Sequence, residues 1–412
     1  MNKSFLTCVL LVLGGCLAAQ TFSVQKLTET MTLAFKQKTD TVLSPVIDKG
    51  FSIGAYSGRS AKYNLFTILH NYVCDSVSPY KSIDQQKAVV LFHKAGKTDT
   101  TALYVSEEGK LLHIDLFDEL YGMYRNQASK HVVSIPFEDV NGSIMLNVKI
   151  NKHPKPLRLL FDTGADGMMV GKATADSLGL TVDKKQQASV VGGNIHIEIS
   201  SNNTVLLDTF PVTQQSIAIF DNGGWSDHDG IIGNTLARKY IVQVNYDTKT
   251  LSLYSFGNTA TKPRNSISVP VNVSEGSLQM DAELTVQPEK PVGAKFIFDT
   301  GAQYYLMVFR PLVRKHKLLV DGFVADSTSS TVSLGVASPV FHGKSTRFRL
   351  LPALEVNKMP VTLMGGTAAN ANWNPGSDGS VGIKLISQYN FTINLMDKNI
   401  YLVPNHKKEK PM

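Results

Sequence analysis

The chain has 412 residues, 43% of them hydrophobic, and 41 Lys and Arg against 34 Asp and Glu leave a net charge of +7. That length supports two or three domains with sizeable cores. The positive balance is mild and scattered, with no dense basic run beyond Lys407-Lys408-Glu409-Lys410, which argues against nucleic acid as a partner.

Met1-Asn2-Lys3 followed by the apolar run Phe5 to Leu17 and small residues reads as a secretory signal peptide over 1–19, too short for a membrane span. Two processing routes stay open. Signal peptidase would cut near Ala18 or Ala19; alternatively Leu13-Gly14-Gly15-Cys16 resembles a lipobox, and a lipid on Cys16 would be the one membrane attachment. Cys8 and Cys16 lie in this leader, so the body keeps only Cys74 and can form no internal disulfide. An exported protein without disulfides is expected in a bacterial periplasm, as an outer-membrane lipoprotein, or secreted.

Residues 20–128 read as a small α+β domain of unknown role. Ala61, Leu65, Ile68, Leu69 and Val73 recur at helical spacing, with Tyr63, Phe66 and Tyr72 widening the apolar face, while 88–92, 101–105 and 111–116 have strand character. His70, His93 and His113 are isolated and carry no metal-ligand spacing. From 129 strands dominate, through a first unit over 129–256, a linker by composition at 257–265, a second unit over 266–405 and a polar tail at 406–412. A helix is predicted from Lys172 to Leu178, stopped by Gly179, and 190–199 reads as a hairpin tipped by Gly192-Gly193.

Two stretches dominate both units: Leu159-Leu160-Phe161-Asp162-Thr163-Gly164-Ala165 and Phe296-Ile297-Phe298-Asp299-Thr300-Gly301-Ala302. Each is an apolar strand that delivers a carboxylate on a tight turn. One Asp-Thr-Gly arises by chance in roughly one chain in ten of this size; two behind matching strands do not. The repeat continues. Asp229-Gly230-Ile231-Ile232-Gly233 follows the first copy and Asp378-Gly379-Ser380-Val381-Gly382 the second, after which Leu236 aligns with Leu385, Tyr240 with Tyr389, Val244 with Ile393 and Leu253 with Leu402 without a gap. The chain carries an internal duplication.

Two aspartates brought together in a sheltered cleft cannot both ionise cheaply, so they share a proton. The ionised member can then take a proton from water while the protonated one bonds a scissile carbonyl, a route that needs no metal and no cofactor. On both Asp-Thr-Gly-Ala turns and the downstream apolar-apolar-Gly elements, residues 131–405 resemble the aspartic proteases: the bacterial retropepsin-like branch, duplicated in the manner of bilobed pepsin-like enzymes. The resemblance implies a mainly β fold of two tandem closed β-barrel lobes behind the α+β domain. It implies Asp162 and Asp299 as catalytic residues, supported by Thr163, Gly164, Thr300 and Gly301, with Ile232-Gly233 and Val381-Gly382 under the two turns. Ser380 departs from the apolar residue expected there. Ala165 and Ala302 stand where many pepsin-like enzymes have Ser or Thr, which predicts a pH optimum nearer mild acid or neutrality than strong acid.

The implied activity is exported, single-chain endopeptidase cleavage of an extended polypeptide, by a monomer because both turns lie on one chain. The alternative is a catalytically silent peptide-binding protein of the same fold. Gly192-Gly193 is either an ordinary hairpin tip or a flap over the cleft. The only two tryptophans, Trp225 and Trp373, sit in matching loops before Asp229 and Asp378, and are read either as rim aromatics that touch substrate or as packing for their own loops. The second copy shows no Gly-Gly tip; 332–339 occupies that place.

Overall fold

The computed structural model describes residues 23–221, 225–258, 262–274, 276–367 and 370–406. The expected signal peptide, Cys16 and the tail from residue 407 lie outside them, as does part of the expected linker.

Among these residues the chain forms two compact units: one from the described part of 1–51 with 66–116, the other from 52–65 with 117 onward. In the first, the helix Val24–Gln37 starts at Ser23, whose hydroxyl accepts from the Lys26 amide, and ends at Lys38 in the left-handed region. Its buried face carries Leu27, Met31, Ala34 and Phe35, and Phe35 meets Phe92 edge-on at 5.9 Å between ring centroids. A four-stranded antiparallel meander of Ser76–Ser82, Lys87–Lys94, Lys97–Val105 and Leu111–Ile114 supplies the other layer. The helix Gly58–Asn71 forms as its spacing predicts, but Tyr63 and Phe66 lie on its exposed side. Residues 52–65 and 117–128, grouped by sequence with the N-terminal domain, fold instead with the second unit. Arg125 explains this: it pairs with buried Asp118 at 2.5 Å and donates to the carbonyls of Gly54 and Met396. Gly54, at φ +55°, leaves room for Met123, whose sulfur lies only 2.0 Å from where a Cβ would stand.

Strands of the second unit are numbered here from its first long one. Lobe 1 holds β1 (His131–Pro136), β2 (Ser143–Ile150), β3 (Leu157–Phe161), β4 (Met168–Gly171), β5 (Lys184–Val190), β6 (Gly193–Leu207), β7 (Phe210–Phe220), β8 (Gly230–Ile232), β9 (Ile241–Asn245) and β10 (Thr250–Tyr254). Lobe 2 holds β11 (Ile267–Pro270), β12 (Ser277–Thr285), β13 (Pro291–Phe298), β14 (Leu306–Val308), β15 (Ala325–Ser333), β16 (Val336–Lys344), β17 (Arg347–Leu350), β18 (Leu354–Asn357), β19 (Pro360–Met364), β20 (Gly379–Val381), β21 (Tyr389–Asn394) and β22 (Asn399–Pro404).

The duplication reappears as topology. Lobe 1 runs β5-β6-β7-β4-β8-β3-β2, and lobe 2 runs β15-β16-β19-β14-β20-β13-β12 in the same order. Lobe 1 closes where the far half of the long strand β6 pairs with β2 through Val205↔Ile150. In lobe 2 the corresponding strand breaks at Ser345-Thr346 into β16 and β17, and β17 closes onto β12 through Leu284↔Phe348. The fold is therefore mainly β, two barrel-like lobes in tandem. A six-stranded sheet, β11-β22-β21-β9-β10-β1, joins them, each lobe supplying three strands. Its centre is the antiparallel pair Gln243↔Thr392, flanked by Val242↔Ile393 and Val244↔Phe391. Sequence-equivalent strands of the two copies thus pair with one another, and one continuous core of fully buried Leu, Ile, Val and Phe runs from lobe to lobe.

Candidate active site

Each aspartate is placed by three short strands. In lobe 1, β3 and β8 are parallel with Leu160↔Ile231 and Phe161↔Ile232, and the Asp162 amide donates to the Ile232 carbonyl at 3.0 Å. In lobe 2, β13 and β20 are parallel with Ile297↔Ser380 and Phe298↔Val381, and the Asp299 amide donates to the Val381 carbonyl at 3.0 Å. Gly233 and Gly382 permit this packing. A Cβ on Gly233 would stand 2.5 Å from the carbonyl oxygens of Ala165 and Gly167, and one on Gly382 2.3 Å from that of Tyr304.

The two turns grip each other across the lobes. The Thr163 amide donates to Thr300 Oγ1 at 2.9 Å, and Thr300 Oγ1 donates to the Phe161 carbonyl at 2.7 Å. Reciprocally, the Thr300 amide donates to Thr163 Oγ1 at 3.1 Å, and Thr163 Oγ1 donates to the Phe298 carbonyl at 2.6 Å. Both threonines are fully buried, so each of these bonds would leave an orphaned polar group if broken. Asn234 adds a brace from lobe 1, its side-chain amide donating to the carbonyls of Thr163 and Gly276.

This grip sets the carboxylates against the opposite glycines. A Cβ on Gly164 would lie 2.5 Å from Asp299 Oδ1, and one on Gly301 2.3 Å from Asp162 Cγ. The Gly164 amide donates to Asp162 at 2.8 Å and the Gly301 amide to Asp299 at 3.2 Å. Burial raises the pKa of Asp162 above the usual carboxyl range, held back by the amides of Gly164, Ala165 and Gly301 and by a hydrogen bond with Asp299. Burial pushes Asp299 well higher, reinforced by the charge of Asp162. Both carboxyls are thus pushed toward the protonated form, and the pair holds its proton as a unit.

Gly192 and Gly193 do not stand alone. The turn Val191-Gly192 joins β5 to β6, and the second lobe, despite lacking a Gly-Gly pair, has its own hairpin of β15 and β16 turned at Leu334-Gly335. Leu334 takes φ +45° and Gly335 φ +83°, the two positive values of a type I′ turn. The tips touch: a Cβ on Gly192 would lie 2.5 Å from Ser338 Oγ, and one on Gly193 3.4 Å from Val336. Leu334 packs against the lobe 1 cluster of Ile197, Ile199, Ala218 and Phe220, where Trp225 also lies. Val191 packs against the lobe 2 cluster of Met307, Phe309, Val340, Met364 and Trp373. Each hairpin tip crosses into the other lobe, and each tryptophan belongs to the cluster that receives it. Trp225 meets Phe220 at 4.8 Å and stacks on His228, whereas Trp373 is buried against Phe309 at 5.2 Å. A separate concavity of about 490 Å³ beside Trp373, lined by Arg310, Arg314, Lys315 and Asn370, contains neither aspartate.

The structure adds residues that motif reading passed over. Asn234, Val191, Leu334 and Tyr304 are the principal ones. Tyr304 was hidden as an unremarked aromatic two residues beyond Ala302; only the unequal lobe alignment, Tyr304 against Gly167, flags it.

Residues 146–236 match the sequence model of the aspartyl protease family, a segment that runs from β2 through the first aspartate turn to Leu236. No curated protein matches the sequence. Among solved structures, the aspartic proteinase from Irpex lacteus aligns over 68% of this chain and 98% of its own, at 13% identity and a TM-score of 0.44. With its paired Asp-Thr-Gly turns and the family match in lobe 1, the chain is similar to the pepsin-like and retropepsin-like aspartic proteases.

Proposed function

We propose that this protein is a single-chain aspartic endopeptidase that hydrolyses peptide bonds with a water held between Asp162 and Asp299. The reciprocal bonding of Thr163 and Thr300 supports this most directly, because it brings the two carboxyls face to face, each on the other lobe's glycine. A dyad that carries one proton can remove a proton from water with its ionised member and donate a hydrogen bond to the carbonyl oxygen with the other. The resulting tetrahedral species collapses when the amide nitrogen receives a proton and the C–N bond breaks.

The two crossed hairpins suit an extended peptide as substrate, since a strand lying under them can pair through its backbone. Export to the cell envelope, free or lipid-anchored at Cys16, and catalysis by a monomer belong to the same proposal. So does activity at mild acid to neutral pH, because both carboxyls titrate above the usual range and a proton stays on the dyad there.

Hydrolysis of a mixed peptide library across pH 3–8, with Asp299→Asn alongside, tests the reading. Cleavage is expected to peak well above pH 3 and to fall at least about 10³-fold in the variant. Cleavage that survives in Asp299→Asn, or no cleavage by the wild type at any pH, would sink it and favour a silent peptide-binding protein.

A further inference from the structure

The short helix that follows β4 in lobe 1 and β14 in lobe 2 differs between the copies in charge. In lobe 1 it is Lys172–Ser177, and Lys172 pairs with Asp176 one turn on. In lobe 2 it is Arg310–Lys315, with Arg310 and Arg314 at the same two positions and Lys315 next. The match is topological, since β4 pairs with β8 as β14 pairs with β20. Lobe 2 thus has a cation where lobe 1 has the neutralising acid. No Asp or Glu occurs over 300–320 or 356–377, the segments that supply the walls of the concavity beside Trp373. Among the described residues, Arg310, Arg314 and Lys315 enter no ion pair.

Arg310 is half-buried and clamped. Its Nη1 donates to Asn370 Oδ1 at 3.0 Å, and that oxygen also accepts the Thr367 amide at 2.8 Å. Gly366 makes room for the guanidinium, because a Cβ there would stand 2.7 Å from Arg310 Nε. Buried Asn370 donates onward to Ser338 Oγ at 3.3 Å, and Ser338 is the residue that Gly192 of the lobe 1 hairpin tip meets. Trp373 forms another wall and packs with Val191 of the same tip; Tyr304 and Ile297, from the Asp299 turn and its strand, pack on that cluster too. The concavity therefore lies on lobe 2 beside the hairpin tip, joined by one apolar cluster to the turn that carries Asp299.

Its donors outnumber its acceptors. Asn370 Oδ1 is already committed twice, and the indole N–H of Trp373 is buried with no acceptor among the described residues. A guanidinium already fixed in place loses little rotamer freedom on binding and meets a carboxylate with paired N–H donors. Arg314 and Lys315 are exposed, so they add an attractive field that salt screens. A volume of about 490 Å³ admits an acidic side chain or a chain end.

We propose that this basic concavity is a substrate subsite that selects polypeptides carrying a carboxylate near the cleavage point, with Arg310 as its specificity-determining residue. The subsite rests on the endopeptidase reading above and deepens it by naming the substrate class. The carboxylate belongs to an Asp or Glu side chain or to the peptide's own C-terminus, which present the same two oxygens.

The test is the ratio of kcat/KM for peptide pairs that differ only by Glu or Gln, with the changed position scanned along both sides of the cut. Glu should be preferred by about 10-fold or more at one position, mainly through KM. Arg310→Gln should bring the ratio to about one, and Arg310→Lys should leave it intermediate, because the charge stays and the fork is lost. Arg314→Glu, at an exposed position, should lower the ratio by about 2–5-fold, as should high salt. Each ratio is taken within one variant, so a loss of folded protein cancels. Free and amidated C-termini separate the two sources of carboxylate: a preference that follows the terminus assigns the chain end, and one that follows Glu assigns the side chain. No preference at any position overturns the subsite. So does a preference unchanged in Arg310→Gln, which would trace to the net positive charge of the whole protein.

Indole ¹H–¹⁵N resonances separate failure of the subsite from failure of the endopeptidase reading. The chain has two tryptophans, so Trp225→Phe assigns them. In Asp299→Asn, used to prevent cleavage, the Glu peptide should move the Trp373 resonance at about 10-fold lower concentration than the Gln peptide. That result with no hydrolysis by the wild type keeps the subsite and sinks only the enzyme. Hydrolysis by the wild type with equal indole titrations for the two peptides keeps the enzyme and overturns the subsite.

Discussion

Lobe 1 and lobe 2 present the same seven-strand order, the same aspartate turn and the same glycine beneath it, yet they treat their carboxyls differently. Asp162 is partly buried and surrounded by amides; Asp299 is buried, with a hydroxyl beside it. Duplication explains how two carboxylates come to face one another, since each copy's turn can bond its image. Any further inequality between them has to come from what surrounds each carboxyl. The difference lies in a handful of side chains around an otherwise repeated frame.

The largest effects are expected where the frame itself is repeated. Ala at Gly301 puts a methyl 2.3 Å from Asp162 Cγ, and Ala at Gly164 puts one 2.5 Å from Asp299 Oδ1. Either must push the carboxyls apart, and a displacement of about 1 Å is enough to cost about 100-fold in rate. Gly301→Ala should be the worse, because its methyl stands nearer the opposite carboxyl, 2.3 Å against 2.5 Å. No kcat/KM loss in either folded variant would show that the dyad accommodates a methyl, contrary to this geometry, and equal losses would remove only the ranking.

A smaller effect is expected on stability. A carboxyl whose pKa is raised in the folded state stabilises the fold below its unfolded pKa, and that contribution is lost as pH climbs through the folded value. The dyad as a unit should carry this dependence, since burial raises both carboxyls, and removing one of the two charges should relieve it. Asp299→Asn should therefore gain in Tm over the wild type as pH rises from 4 to 8, by about 2–4 °C for each kcal/mol of relief. A gain that shrinks with rising pH would contradict the sign.

Much of this was legible in the sequence because it is local and repeated. The Asp-Thr-Gly turns follow strands whose alternation and apolar content specify them, and the helix at Lys172–Ser177 stops beside Gly179 as its composition predicts. The Thr163 and Thr300 bonds follow once two turns are known to meet. What stayed hidden depends on packing between distant segments. The Val24–Gln37 helix is the exception, because its amphipathic face and its Ser23 cap are local signals that motif reading passed over. The Leu334-Gly335 tip escaped because a leucine at positive φ is unfavourable in isolation and is held here by burial in the other lobe. Ser380 looked like a poor fit to an apolar position; only its partner Tyr304, 76 residues earlier in the chain, gives the hydroxyl a reason.

The hairpin tips offer the finest comparison, because each reaches the other lobe through one apolar side chain. Val191 joins the cluster of Trp373 and Leu334 joins that of Trp225. Replacing either tip residue by Ser removes about 1 kcal/mol of partial apolar burial, which should raise KM about 5-fold with kcat nearly unchanged if the tips hold the hairpins closed on substrate. Trp225→Ala should reproduce Leu334→Ser, and the double variant should fall short of the sum of the two, since both act on one cluster. Trp373 is 8% exposed and packs on Phe309, so Trp373→Ala should also lower Tm, whereas half-buried Trp225 should cost little. Additive losses for Leu334 and Trp225, or kcat/KM untouched by either tryptophan change, would mean that the crossing tips close nothing that a substrate needs closed.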